Sequence, residues 1–152
     1  MRIVGVIGGS QVPEGIYSIA YETGKLIGER GYALLTGGLG GVMEAASKGA
    51  KEAGGLVIGI LPGHSKSSAN KWVDIPIVTS MSHARNVIIT QTADVLIAID
   101  GRVGTQSEIA FGHIYKKKII GIRCSIPLPF KRVRTPEEAI LLVDEYLKHL
   151  PE

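Results

Sequence analysis

At 152 residues, 45% hydrophobic and 20% charged, the chain is the size of one domain and can bury a core, which excludes a disordered protein. No apolar run approaches the ~20 residues needed to span a bilayer, and the strand-like N-terminus carries no signal-peptide cleavage pattern. The net charge of +3 is mild, and the aromatic residues do not interleave with basic ones, so neither a nucleic-acid nor a membrane partner is expected.

The compact basic run Lys116-Lys117-Lys118 falls between a helix and a strand, where it complements a helix C-terminus. The single cysteine, Cys124, excludes an intrachain disulfide and fits a reducing compartment, so a cytoplasmic location is expected.

Strand and helix alternate along the chain. Ile3 to Ile7 is an apolar strand ending in Gly8-Gly9-Ser10; Ile16, Ile19, Ala20, Thr23 and Ile27 then share one face of a helix that stops near Gly31. Tyr32 to Thr36 is a second buried strand, ending in Gly37-Gly38-Leu39-Gly40-Gly41, and Met43 to Ala53 is a helix closed by Gly54-Gly55. Leu56 to Leu61 is the third strand. Residues 63 to 74 form a long polar stretch, expected as a mobile surface loop. Ile75 to Val78 is a short strand, and Ser82 is the expected N-cap of a helix from His83 to about Thr92.

The run Asp94 to Ile99 has the apolar, β-branched character of a fully buried strand. It breaks at Asp100-Gly101, passes Gly104 and feeds directly into a helix containing Ile109 and Ile114. Lys118 to Ile122 is another strand, and a proline-broken, irregular segment runs from Cys124 to Arg134. Thr135-Pro136-Glu137-Glu138 is a capping box with proline at the first helical position, opening a last helix that runs to about Leu150.

Near-continuous apolar strands separated by amphipathic helices predict an α/β fold. The expected form is a three-layer Rossmann-like sandwich with a doubly wound, mainly parallel sheet, built as a single nucleotide-binding domain over residues 1–152. In such sheets ligands bind beyond the carboxyl ends of the strands. Three of those ends carry glycine clusters, at Gly8-Gly9-Ser10, Gly37 to Gly41 and Gly101 to Gly104, and glycine is used where a backbone approaches a ligand closely. At the last of them, free N–H groups and the positive end of a helix dipole make an anion site. A phosphate is expected on Gly101 to Thr105, with Glu108 one turn into the helix and close to whatever the phosphate carries.

Other chemistries lack their patterns. GxGxxG is absent and Thr36, rather than an acid, ends the second strand, which disfavours NAD-dependent hydride transfer. GxxxxGK[ST] is missing, so NTP hydrolysis is disfavoured. The four histidines have no paired ligand spacing and Cys124 stands alone, so no metal site is expected. No G-x-S-x-G elbow supports a serine hydrolase.

Three ordered motifs carry a family resemblance: Gly37-Gly38-Leu39-Gly40-Gly41-Val42-Met43-Glu44-Ala45-Ala46, Ser82-His83-Ala84-Arg85-Asn86, and Gly101-Arg102-Val103-Gly104-Thr105-Gln106-Ser107-Glu108-Ile109. In this order they resemble the LONELY GUY-type proteins, a superfamily long labelled "lysine decarboxylase-like", an activity not expected here. It includes nucleoside 5'-monophosphate phosphoribohydrolases and molybdenum-cofactor carrier proteins. The Ala-Arg-Asn form and the Ser-Glu-Ile-Ala ending look more like the carrier branch.

In the hydrolase members an arginine and a glutamate serve the N-glycosidic bond, and a PGGxGTxxE loop binds the 5'-phosphate. The resemblance therefore implies Arg85 and Glu108 as the catalytic pair, with Gly101, Gly104 and Thr105 for the phosphate; Arg102 and Val103, lying between them in the loop, are added to the expected ligand-binding residues. Gly8, Gly9, Ser10, Gly37, Gly38, Gly40, Gly41, His83 and Asn86 complete the expected ligand-binding set. A neighbouring arginine is expected to keep Glu108 ionised. Two departures bear on catalysis more than on binding: Asp100-Gly101-Arg102 replaces Pro-Gly-Gly, and Asn86 stands where the hydrolases typically carry lysine.

Two functions remain open. One is a carrier or binding protein for a phosphorylated, nucleotide-like or molybdopterin-type ligand, with no required cofactor. The other is a phosphoribohydrolase releasing free base and ribose 5-phosphate. The resemblance also implies a homo-oligomer, a dimer or tetramer.

Overall fold

The computed structural model describes residues 1–101 and 103–151. Seven strands form one sheet: β1 (Ile3–Gly8), β2 (Ala33–Thr36), β3 (Val57–Leu61), β4 (Ile75–Val78), β5 (Val95–Ile99), β6 (Lys118–Ile122) and β7 (Lys131–Val133). Their spatial order is β4-β3-β2-β1-β5-β6-β7 and every pairing is parallel. The helices are α1 (Glu14–Glu29), α2 (Val42–Glu52), α3 (Asn86–Thr92), α4 (Val103–Ile114) and α5 (Pro136–Lys148). This is the doubly wound three-layer arrangement that the alternating pattern predicts. No described helix is long and apolar enough to cross a membrane.

The two-residue period of the strands sorts their apolar side chains onto two faces. Val4, Val6, Leu34, Val57, Val95, Ile97 and Ile99 pack with α1, α2 and α5, while Ile7, Leu35, Ile60, Leu96 and Ala98 pack with α3 and α4. β5 is buried at all of its positions, as a central strand covered on both faces must be. Asp94 sets its register: the Ile3 N–H donates to Asp94 Oδ2 at 2.8 Å, and the Asp94 N–H donates to the Ile3 carbonyl at 2.8 Å. Asp74 repeats the device at β4, accepting from the Val57 N–H at 2.9 Å.

Two local expectations change. Ser82 is not a helix cap: it lies in a 3-10 turn over Ser82–Arg85 with φ of 53°, and α3 begins only at Asn86. The Ser82 N–H is used instead on the Pro62 carbonyl at 2.9 Å, which ties the turn to the end of β3. Within the proline-broken segment, Lys131–Val133 forms the edge strand β7, whose mostly exposed Lys-Arg-Val lacks the apolar signature of a strand. The capping box is present, with Thr135 Oγ1 accepting from the Glu138 N–H at 3.1 Å.

α1 crosses α2 where glycines remove the side chains from both backbones. A Cβ on Gly24 would fall 1.9 Å from the Ala46 carbonyl oxygen, and one on Gly49 would fall 2.0 Å from the Tyr21 carbonyl oxygen. Gly24→Ala, which would raise the intrinsic propensity of an isolated helix, is therefore expected to destabilise this protein by about 3 kcal/mol through overpacking. Urea unfolding checks it, and an unchanged or raised midpoint would contradict this account of the crossing.

Candidate active site

Strand order reverses between β1 and β5, because the chain builds outward from β1 in one direction and from β5 in the other. The crossover connections diverge there and leave a crevice at the carboxyl ends of the two strands. A cavity of about 210 Å³ occupies it, lined by β1 and its turn through Gly8, Gly9 and Ser10, by Gly37, Leu39 and Met43 after β2, by His83, Arg85 and Asn86, and by Gly104, Thr105 and Glu108 of α4. Four segments remote in sequence thus converge on one volume.

Among the described residues, the remaining expected ones, Gly38, Gly40, Gly41, Gly101 and Val103, are not part of that lining. Gly38, with φ of 79°, faces Leu61, and a Cβ on it would sit 2.5 Å from Leu61 Cδ2. Gly40 and Gly41 abut the carbonyls of Gly9 and Ser10. Gly101 packs on Ile126 and Cys124, and Val103 is 84% exposed. Arg102 lies outside the described residues. Of the segment expected to cradle a phosphate, Gly104 and Thr105 therefore face the cavity, at the start of α4 where backbone N–H groups have no intrahelical acceptor.

Arg85 is 7% exposed, and its guanidinium is held by protein acceptors. Nε donates to the Ile60 carbonyl at 2.9 Å and Nη1 donates to Asn86 Oδ1. A Cβ on Gly37 would lie 2.6 Å from Nη2, so only glycine there leaves room for the guanidinium. Asn86 passes the connection on: its Nδ2 donates to Ser107 Oγ at 3.2 Å, which donates to the Gly104 carbonyl at 2.7 Å. The turn carrying Arg85 is thereby locked to the first turn of α4.

Glu108, also 7% exposed, differs in having no such support. Among the described residues its carboxyl makes no hydrogen bond, and no Arg85–Glu108 ion pair forms within 4.0 Å. Removal from water pushes its pKa up to about 8, against a smaller opposing pull from Arg85. The expectation that arginine keeps Glu108 ionised is corrected: at this separation desolvation outweighs Coulomb attraction. The same burial lowers the Arg85 pKa, opposed by Glu108. The site at neutral pH combines a tethered cation with a largely neutral carboxylic acid able to donate one hydrogen bond.

Reading residue types for chemistry misses several of the lining residues. Val6, Ile7, Leu39 and Met43 supply apolar wall and look like ordinary core, although Leu39 and Met43 stand within the glycine motif after β2. Among the described residues no group of three or more His, Cys, Asp and Glu side chains is placed to hold a metal ion.

The raised Glu108 pKa has a stability consequence. Between the unfolded value of about 4.3 and the folded value of about 8, the unfolded chain ionises while the native carboxyl stays protonated, so stability falls as pH rises. The contribution of this group should decline by up to about 1.4 kcal/mol per pH unit through that window and level off above it. Denaturant unfolding from pH 5 to 9 checks this. Relative to Glu108→Gln, the wild type should lose stability with rising pH, and parallel profiles would refute the assignment.

Comparison with known proteins places this geometry among relatives. An uncharacterized protein of Archaeoglobus fulgidus is 49% identical over 138 residues, spanning 90% of this chain and 91% of its own length. The molybdenum cofactor binding protein of the phototrophic bacterium Rippkaea orientalis superposes with a TM-score of 0.91 at 36% identity, covering 96% of this chain and 97% of that one. The molybdenum cofactor carrier protein of Chlamydomonas reinhardtii gives a TM-score of 0.89 at 35% identity, covering 97% and 99%. These similarities agree with the superfamily resemblance carried by the ordered motifs and with the carrier-branch resemblance carried by the Ala-Arg-Asn form and the Ser-Glu-Ile-Ala ending. Matched by its family model over residues 1–148, the chain belongs to the SLOG cluster4 family.

Proposed function

We propose that this protein binds a phosphorylated, nucleotide-like ligand at the carboxyl edge of its sheet and acts as a carrier or binding protein, with a pterin-type cofactor such as a molybdopterin among the ligands it would take. The observation that carries the reading is the convergence of three strand-to-helix turns, Arg85 and Glu108 on one cavity at the strand-order reversal. The N-terminal N–H groups of α4 and the Thr105 hydroxyl suit a phosphate. Apolar Val6, Ile7, Leu39 and Met43 suit the flat body of a ring system.

The protonation of Glu108 favours binding over cutting. Stabilising an oxocarbenium-like ribose centre requires a carboxylate, whereas burial keeps this group largely a neutral acid at pH 7. Arg85 is engaged with Ile60 and Asn86 rather than held against it. A phosphoribohydrolase remains the second reading because a buried carboxyl with a raised pKa at a cavity is also what general acid catalysis needs.

The reading includes a homo-oligomer. α4 leaves apolar Val103 and Ile114 84% and 66% exposed, which supports pairing with another copy through that helix. The single cysteine, buried as a free thiol, fits the cytoplasm.

Purified protein incubated with a panel of nucleoside 5'-monophosphates tests the proposal, with free base followed by chromatography and stability by thermal melting. The expected outcome is stabilisation by at least one of them, about 2.7 kcal/mol at a hundredfold excess over Kd, without base release. Base release that disappears in Glu108→Gln would instead establish the hydrolase. Light scattering should give a mass at least twice that of the 16.2 kDa chain.

A further inference from the structure

The polar segment between β3 and β4, expected as a mobile loop, is fastened to the glycine loop after β2 by one residue. The Asn70 backbone N–H donates to the Gly38 carbonyl at 2.8 Å, and its side-chain Nδ2 donates to the Leu39 carbonyl at 2.9 Å and to the Gly38 carbonyl at 3.3 Å. Asn70 Oδ1 accepts from the Trp72 N–H at 3.0 Å, which fixes which way the amide faces. From the strand side, the Gly38 N–H donates to Thr36 Oγ1 at 3.0 Å.

These bonds orient two peptide groups. The Gly38 carbonyl and the Leu39 N–H belong to one peptide unit, and the Leu39 carbonyl and the Gly40 N–H to the next. No described peptide bond is cis, so in each unit the N–H points opposite to the carbonyl. With both carbonyls drawn toward Asn70, both N–H groups are turned away from it. Neither has a hydrogen-bond partner among the described residues, and Leu39 lines the cavity. Successive N–H groups held on one side of a loop form a concavity suited to an anion.

We propose that Asn70 is a positioning residue for ligand binding: by holding the Gly38 and Leu39 carbonyls it turns the N–H of Leu39, which lines the cavity, and the N–H of the adjacent Gly40, just outside that lining, toward an anionic group of the ligand. This rests on the reading of the cavity as a site for a phosphorylated ligand. Asn70 itself touches no ligand. It confers phosphate recognition through the peptide planes.

The test uses the whole chain with inorganic phosphate, adenosine 5'-monophosphate and adenosine as probes, comparing wild type with Asn70→Asp and Asn70→Ala. Asn70→Asp keeps the size of the side chain but sets a carboxylate against two carbonyl oxygens. In ¹⁵N-labelled wild type, phosphate should shift the Leu39 and Gly40 amide resonances. In the variants, affinity for phosphate and adenosine 5'-monophosphate should fall at least tenfold while affinity for adenosine stays as in wild type. A purely structural role would instead weaken all three probes together, and that result, or unchanged phosphate affinity, would overturn the proposal while leaving the cavity reading in place. Wild type that binds phosphate and the monophosphate without movement of the Leu39 and Gly40 resonances would overturn it without recourse to either variant. Wild type that binds neither phosphate nor the monophosphate would remove the reading of the cavity as well.

Discussion

The reversal of strand order between β1 and β5 is the constraint from which the site follows. Right-handed crossovers from β1 run to one side of the sheet and those from β5 to the other, so the turns above these two strands cannot close over each other. The gap is a consequence of topology, and the residues bordering it inherit a low-dielectric, partly enclosed setting. Residues at the ends of β1 and β2 and at the start of α4 then border a volume that the protein's own side chains do not fill.

Electrostatics within the gap are set by unequal solvation of two buried charges. Arg85 is surrounded by acceptors, one from β3 and one from its neighbour Asn86, and these replace the water it has lost. Glu108 gains no donor among the described residues, and burial favours its neutral form. Arg85, by contrast, is tethered to the framework through Ile60 and Asn86.

Glycines divide between two tasks that look alike in the chain. Gly24 and Gly49 let α1 and α2 touch backbone to backbone, and Gly101 lets the β5–α4 turn pack against Ile126. Gly37 instead clears the path of the Arg85 guanidinium. The three-dimensional neighbour, not the local motif, decides which task a glycine performs. The same holds for carbonyls: those of Gly38 and Leu39 are occupied by an asparagine more than thirty residues away, which shapes a loop whose own composition is nearly all glycine.

The alternation of apolar strands with amphipathic helices was enough to determine the three-layer parallel fold, because buried strands and one-sided helices permit few other arrangements. The ordered motifs also carried the family and brought Arg85, Asn86, Thr105 and Glu108 together as candidates, since parallel strands place all their following turns at one edge. Tertiary structure decided the rest. The late start of α3 follows from the Ser82 N–H being drawn to Pro62, and β7 exists only because β6 offers it an edge. The protonation of Glu108 depends on how much water the fold removes, and Gly101 stays out of the cavity lining because it packs against Ile126 and Cys124, while Val103 turns to solvent. Asn70 gave no signal at all, because its partners are chosen by distance in space. Periodicity and turn chemistry are local and can be read along a chain; solvation and hydrogen-bond pairing between remote segments come into being only when the chain is folded.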